Sequence, residues 1–214
     1  ARTIRMAESG QADILYPEYF IEKTAPSDVF GGTRRTDHLA LSDKIPGGLI
    51  AFIKRKDEPD NYNGDLRNLK GVTIGVVRGY QNTPEFDSLM DKDFFDTSEA
   101  VDDLNNIRKL IRRRVDLIIG DPSAVRYSIS RDMKMSAKEK ADMLGQIEIV
   151  SPAIQHNHLY YAVSRKRPGW EKLLSDINRA IAEFKASGEM ERIMTETNKK
   201  NGFDTDETIE GYKN

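Results

Sequence analysis

An α/β fold is what the sequence predicts, and three observations carry that expectation. Short apolar runs, GVTIGVV at 71–77 and VDLIIGD at 115–121, have the length and composition of buried strands. Other stretches carry apolar residues at helical spacing, most clearly Leu173, Leu174, Ile177, Ala180, Ile181 and Phe184. Cap and proline signals, Asn82 or Thr83 ahead of Pro84 and Asp121 ahead of Pro122, open helices behind the two strongest strands. Strands that alternate with helices make an α/β arrangement.

In chain order, residues 2–9 are expected as a short helix with Ile4 and Met6 inward, ended by Gly10. A strand follows from Ala12 to Tyr16, then a long polar loop over 17–38 containing Gly31-Gly32. Strands are expected over 48–54 and 72–77, separated by a charged linker and a turn at Gly71. A helix over 99–113 leads to a strand at 115–119. Its basic end, Arg112 to Arg114, reads as a solvated face at the negative end of the helix dipole. Residues 132–144 read as an outer helix or loop, and 147–150 and 159–164 as strands. A helix opened by Trp170, taken as core, runs to Ser187, where Gly188 breaks it before a last helix over 190–198. The ending from Gly202 is acidic and polar and is expected to be mobile.

Composition removes several classes of function. Across 214 residues the net charge is −2, which lacks the basic excess of a nucleic-acid binder. The absence of cysteine excludes disulfides, thiolate catalysis and thiolate metal sites. No apolar stretch approaches the ~20 residues that span a bilayer, so no direct membrane insertion is expected. The sequence contains no H-E-x-x-H, no G-x-S-x-G and no phosphate-binding glycine loop, so neither an activated nucleophile nor a catalytic metal is expected. His156 and His158 share a strand spacing but lack a carboxylate cluster, and they read as a polar hinge.

Five landmarks in order resemble the type II periplasmic solute-binding proteins of the polar amino-acid type. Gly10-Gln11-Ala12-Asp13 looks like that family's G-x-x-D strand entry, and Arg35 precedes Ser42 by seven residues as in its R-x-x-x-x-x-F-S-x-P stretch. Leu66 to Gly79 looks like the start of the second lobe, Leu110 to Asp121 like its L-x-x-G-x-x-D-x-x-x-x-D segment, and Ala162 to Lys166 like the return to the first lobe. The resemblance implies a two-lobed venus-flytrap, with residues 1–48 and 158–214 forming one lobe and 49–157 the other. Crossovers are implied near Pro46–Ile50 and Gln155–Tyr160. The family opens with a β-α-β unit that has no counterpart ahead of Ala1, so the first lobe is expected to be incomplete.

The same resemblance implies a ligand held between the lobes. Arg35 matches the arginine whose planar fork grips the ligand carboxylate. Gly79, Tyr80, Gln81 and Asn82 form the turn that contacts the same group; by itself this is also an ordinary βα turn. Asp121 matches an acid that pairs with a ligand ammonium, and is equally an ideal helix cap. Tyr16, Glu18 and Tyr19 replace the family's small hydroxyl residues, so an amino group there would meet a carboxylate and aromatic faces instead. The implied function is an extracytoplasmic, periplasmic receptor that binds a small molecule without cofactor and hands it to a membrane ABC permease. The alternatives are a sensor module of a membrane receptor and, further off, a cyclohexadienyl-dehydratase-like enzyme, for which Glu18, Asp121 or His156 would have to act as acid or base.

Overall fold

A computed structural model describes residues 2–60 and 62–201; the acidic ending from Gly202 lies outside the described residues. The elements are α1 (Arg2–Ser9), β1 (Ile14–Glu18), β2 (Leu39–Leu41), β3 (Ile45–Arg55), β4 (Thr73–Val77), α2 (Pro84–Met90), β5 (Asp96–Ala100), α3 (Asp103–Ile111), β6 (Leu117–Gly120), α4 (Pro122–Arg131), α5 (Ala137–Gly145), β7 (Ile147–Ile149), β8 (Gln155–Ser164), α6 (Trp170–Ala186) and α7 (Glu189–Asn201). The chain divides into two units, Ala1–Gly47 with Asn157–Asn214, and Gly48–His156. It leaves the first unit within β3 and returns to it within β8.

In the first unit β8 lies between two antiparallel partners. Val163 pairs with Ile14 of β1 on one side and with Ala40 of β2 on the other. Ala7, Ile21, Leu39 and Ala162 form the core beneath α1, with Leu15 packed against it. The inward residues of α1 are Ala7 and Glu8, while Ile4 and Met6, expected inward, are only partly covered. The helix is two turns long and meets the sheet through its last turn, which moves the buried face towards its C-terminal end. Gly10 follows with φ of 79°, and a Cβ there would stand 2.8 Å from Lys166 Cβ. β1 starts at Ile14, not Ala12, and continues to Glu18 through an irregular register after Leu15. β2 was not expected as a strand; three residues are too few to show alternation, and pairing with β8 makes it one.

The helix stripe of α6 behaves differently from its sequence pattern. Of its apolar residues only Ile181 is buried, and Phe184 is exposed. Trp170 is half-buried, not core: the Arg165 guanidinium lies 4.5 Å from its ring centroid.

The second unit holds a five-stranded sheet in the order β5-β4-β6-β3-β7. β4 runs parallel to β5 and β6, and β3 is antiparallel to β6 and β7. Ile53, Ile107, Leu110, Val115, Ile118, Val125 and Ile129 form the core between the sheet, α3 and α4. Phe86 joins an aromatic group on the same sheet, 5.1 Å from Phe95 and 6.1 Å from Phe52 between centroids.

The helix expected over 99–113 is shorter, because residues 96–100 form β5 in parallel register with β4 from Thr73↔Asp96 to Val77↔Ala100. Its sequence, DTSEA, lacks apolar alternation because it is an exposed edge strand, so backbone pairing alone makes it a strand. Asp102 then caps α3 by accepting from the Asn105 amide at 2.7 Å. Residues 137–145 are helical, opened by a reciprocal capping box between Ser136 and Glu139.

Arg55 ties this unit together. Its side chain is buried, donates to the carbonyls of Leu110 (2.7 Å) and Val115 (2.5 Å), and is ion-paired with Glu58. Removing one side of such an arrangement strands the other without water. Arg55→Ala is expected to cost about 3 kcal/mol, lowering the thermal midpoint by roughly 6–12 °C in a circular-dichroism melt, whereas Arg112→Ala, exposed at the start of the basic run, is expected to stay within about 2 °C.

Candidate functional site

Each unit presents its own set of polar groups. In the first, the loop over 19–34 ends on an isolated bridge between Pro26 and Arg34, and Arg35 opens a 3-10 turn. The Arg35 amide donates to the Ala25 carbonyl at 2.8 Å, which fixes the backbone under the side chain. The guanidinium is 12% exposed, with Nη2 at 3.1 Å from Asp28 Oδ1 and Nε at 3.9 Å from Glu8 Oε1. Glu8 is fully buried, and its other oxygen accepts the Asp28 amide at 2.9 Å. Among the described residues Nη2 makes the one side-chain hydrogen bond of Arg35; Nε and the facing Glu8 Oε1 are buried and attract each other by charge alone, and Nη1 has no protein hydrogen bond.

Glu18 is a near neighbour of this cluster. Burial pushes its carboxyl above the usual carboxylate range, and the Arg35 charge opposes that only in part. Glu18 stands in register with Tyr160, whose ring meets Phe20 edge-on at 6.0 Å. Tyr16 stacks on Tyr161 instead, with ring centroids 4.4 Å apart. Residues 160 and 161 point to opposite faces of the sheet, so Arg35 and Glu18 are brought together and Tyr16 is not among them.

Glu8 and Asp28 were not singled out in the sequence. The available signal for Glu8 was its place beside Ala7 on the inward turn of a helix otherwise carrying Arg2 and Arg5, since a buried acid requires a cation. Asp28 had no signal, because a contact between residues 8, 28 and 35 depends on how a sixteen-residue loop folds.

In the second unit the polar groups gather where β4 and β6 end side by side, the usual place for ligands in an open α/β sheet. After β4, Gly79 takes φ of 77° and the Tyr80 amide turns back to the Val77 carbonyl at 3.1 Å. Tyr80 is exposed and Asn82 is buried. The Asn82 amide and side-chain nitrogen both bond the Asp87 carboxylate, each at 3.1 Å. Thr83 caps α2 through the Phe86 amide at 3.3 Å. The Asn82 amide, expected from sequence as one of the donors for an anion, is therefore already engaged by Asp87.

Asp121 follows β6 and does cap α4, accepting from Ser123 at 2.7 Å and Ala124 at 3.4 Å. Its second oxygen faces Gly48, where a Cβ would approach to 2.1 Å, so only glycine fits. Burial raises the Asp121 carboxyl above its ordinary range, against the capping bonds and His156. Asp103 is raised chiefly by burial, then by Asp102 and Asp121. Tyr80 is raised by burial and by the same Asp103 and Asp102. Asp103 escaped the sequence reading, which placed it inside a longer helix. Together Tyr80, Asp102, Asp103 and Asp121 make the strand ends acidic, a surface suited to a cationic group. Among the described residues no group of histidines and carboxylates could hold a metal ion.

No family model and no curated protein matches the chain. Solved structures do. An ancestral arginine-binding protein bound to arginine matches with a TM-score of 0.67 and 20% identity, over 90% of this chain and 74% of that one. The substrate-binding protein of an amino acid ABC transporter matches at 0.61 and 17%, over 90% and 74%. A histidine kinase sensor domain with similarity to periplasmic binding proteins matches at 0.63 and 18%, over 90% and 72%.

Because a carboxyl with a raised folded pKa is least favourable when ionised, Asp103→Asn is expected to raise the thermal midpoint at pH 7. The gain should be about 1–3 °C and should shrink as the pH falls through the raised folded value, vanishing only below the unfolded value of about 3.9; a loss at pH 7 would show that Asp103 is held by attraction. The chain shares with these structures the two-lobed α/β fold of the periplasmic binding proteins.

Proposed function

We propose that the protein is an extracytoplasmic solute-binding receptor that captures a small, carboxylate-bearing molecule in the venus-flytrap manner and passes it to a membrane ABC permease. The observation that carries this is Arg35: a guanidinium held from behind by Glu8 and Asp28, with Nη1 left for a further acceptor. Such a fixed fork binds a carboxylate with little loss of side-chain freedom. Glu18 beside it, and the acidic strand ends with Tyr80 and Asp121 in the other unit, favour a solute that also carries positive charge. Gly79, Gln81 and Asn82 shape the turn that presents Tyr80. Binding needs no cofactor and no chemical step in this reading.

A second reading, the same module as the sensor of a membrane receptor, is favoured by the likeness to a histidine kinase sensor domain. A transmembrane segment encoded after residue 214 would decide for the sensor. Among the described residues no helix is long and apolar enough to cross a membrane, which is compatible with either.

The test is a thermal-shift screen against amino acids, polyamines, organic acids and sugars. A true ligand at 100 times its Kd should add about 2.7 kcal/mol of stability. Arg35→Gln is expected to weaken a carboxylate-bearing ligand by about 100-fold while the unliganded melt stays cooperative. No shift with any carboxylate-bearing class, or a shift indifferent to Arg35→Gln, would remove the proposed anchor.

A further inference from the structure

Two buried atoms of the first unit face each other without a bond. Arg35 Nε and Glu8 Oε1 are both shut off from solvent, stand 3.9 Å apart, and have no hydrogen-bond partner among the described residues. A buried donor and acceptor in that state are costly, and a movement of about 1 Å would join them. What holds the guanidinium away is Asp28. Its Oδ1 accepts from Nη2 at 3.1 Å and is, among the described residues, the only carboxylate oxygen within hydrogen-bond distance of Arg35.

The backbone of Asp28 is fixed. Its amide is held by Glu8 Oε2 at 2.9 Å, and the Val29 and Phe30 amides both bond Ser27 Oγ, at 3.2 and 3.0 Å. The Phe30 ring is pinned in turn, 4.4 Å from the His38 ring and 4.8 Å from the Lys166 ammonium. The Asp28 side chain is under no such restraint: it is 30% exposed, and one oxygen bonds one nitrogen. That hold is weak, because a part-exposed acid in a single contact forgoes the second of the two parallel bonds that a guanidinium offers a carboxylate.

We infer that Asp28 is an internal competitor for Arg35, a specificity-determining residue that a solute carboxylate must displace; the inference rests on the receptor reading given above. Nη1, which has no protein hydrogen bond, is where the solute first attaches. A second solute oxygen then takes Nη2 from Asp28, the Asp28 side chain turns to water, and the guanidinium closes on Glu8 through Nε. The exchange gives up one bond and forms others to the solute and to Glu8. It also selects, because a planar carboxylate gains both bonds of the fork, whereas a spherical anion such as chloride offers nothing that Asp28 does not already supply.

The experiment follows hydrogen exchange of the Arg35 Nε–H by nitrogen-15 NMR, its resonance identified by its absence from Arg35→Lys. The unaltered chain and Asp28→Ala are compared without ligand, and the unaltered chain also with sodium acetate or sodium chloride at constant ionic strength. In Asp28→Ala without ligand, exchange is expected to slow at least about tenfold as the bond to Glu8 forms. Acetate should bring the unaltered chain towards the same slow exchange, and chloride should not. Asp28→Asn, which keeps an acceptor but loses the charge, should fall between the unaltered chain and Asp28→Ala. Equal exchange in the unaltered chain and both Asp28 variants, or the same response to acetate and to chloride, would overturn the inference. The outcome is separable from the solute screen, since acetate reads Arg35 with no solute in hand. An acetate response without any solute-induced shift keeps Asp28 as the competitor and removes the receptor reading. A solute-induced shift that needs Arg35 but leaves Nε–H exchange unchanged keeps the receptor and removes this inference.

Discussion

The buried carboxylate of Glu8 is the constraint on which the first unit's polar architecture depends. A carboxylate with no exposure must be offset, and here Arg35 supplies the charge while the Asp28 amide supplies the hydrogen bond. Three segments distant in sequence are fixed by that requirement: the last turn of α1, the middle of the 19–34 loop and the start of the 3-10 turn. The loop is long and has no helix or strand of its own, yet its backbone finds partners through Glu8, the Ala25–Arg35 bond and the Pro26–Arg34 bridge. Arg35 is thus a scaffold residue and a binding candidate together. The two roles use different nitrogens, and the first pre-organises the second.

Asp121 shows the same economy in the second unit. One oxygen holds the N-terminus of α4, and the other is pressed against Gly48 with no room for a side chain. Burial opposes its ionisation, the cap and His156 favour it, and its charge in turn helps raise Asp103. An acid in that balance responds to an incoming cation more strongly than an exposed one, because the cation relieves a cost already present in the folded protein. Tyr80, lifted by the same aspartates, stands at the rim as the exposed aromatic of the turn.

The first unit's sheet has a less settled economy. Its core under α1 is dense, but on the other face Tyr16 and Tyr161 stack on each other at the surface and α6 turns Phe184 to solvent. Apolar side chains at helical spacing state that a helix has an inner face; they do not state what lies against it. In α6 that distinction separates an amphipathic pattern from a buried one.

The sequence by itself determined the features set by short-range physics. Thr83-Pro84 and Asp121-Pro122 start helices because a side-chain acceptor and a proline suit the first turn wherever they occur. Gly10, Gly71, Gly79 and Gly188 mark backbone turns at positive φ that other residues resist. The α/β class follows from such signals, and the spacing of Arg35 to Ser42 pointed to the fold that the solved structures share. Only the tertiary structure decided that DTSEA is a strand, that Glu8 and Asp28 stand behind Arg35, that Tyr16 turns away from Glu18, and that the Asn82 amide is taken by Asp87. Each of those depends on which distant segments meet, and a burial cost or an edge pairing is settled by the neighbour that arrives, not by the residue that waits for it.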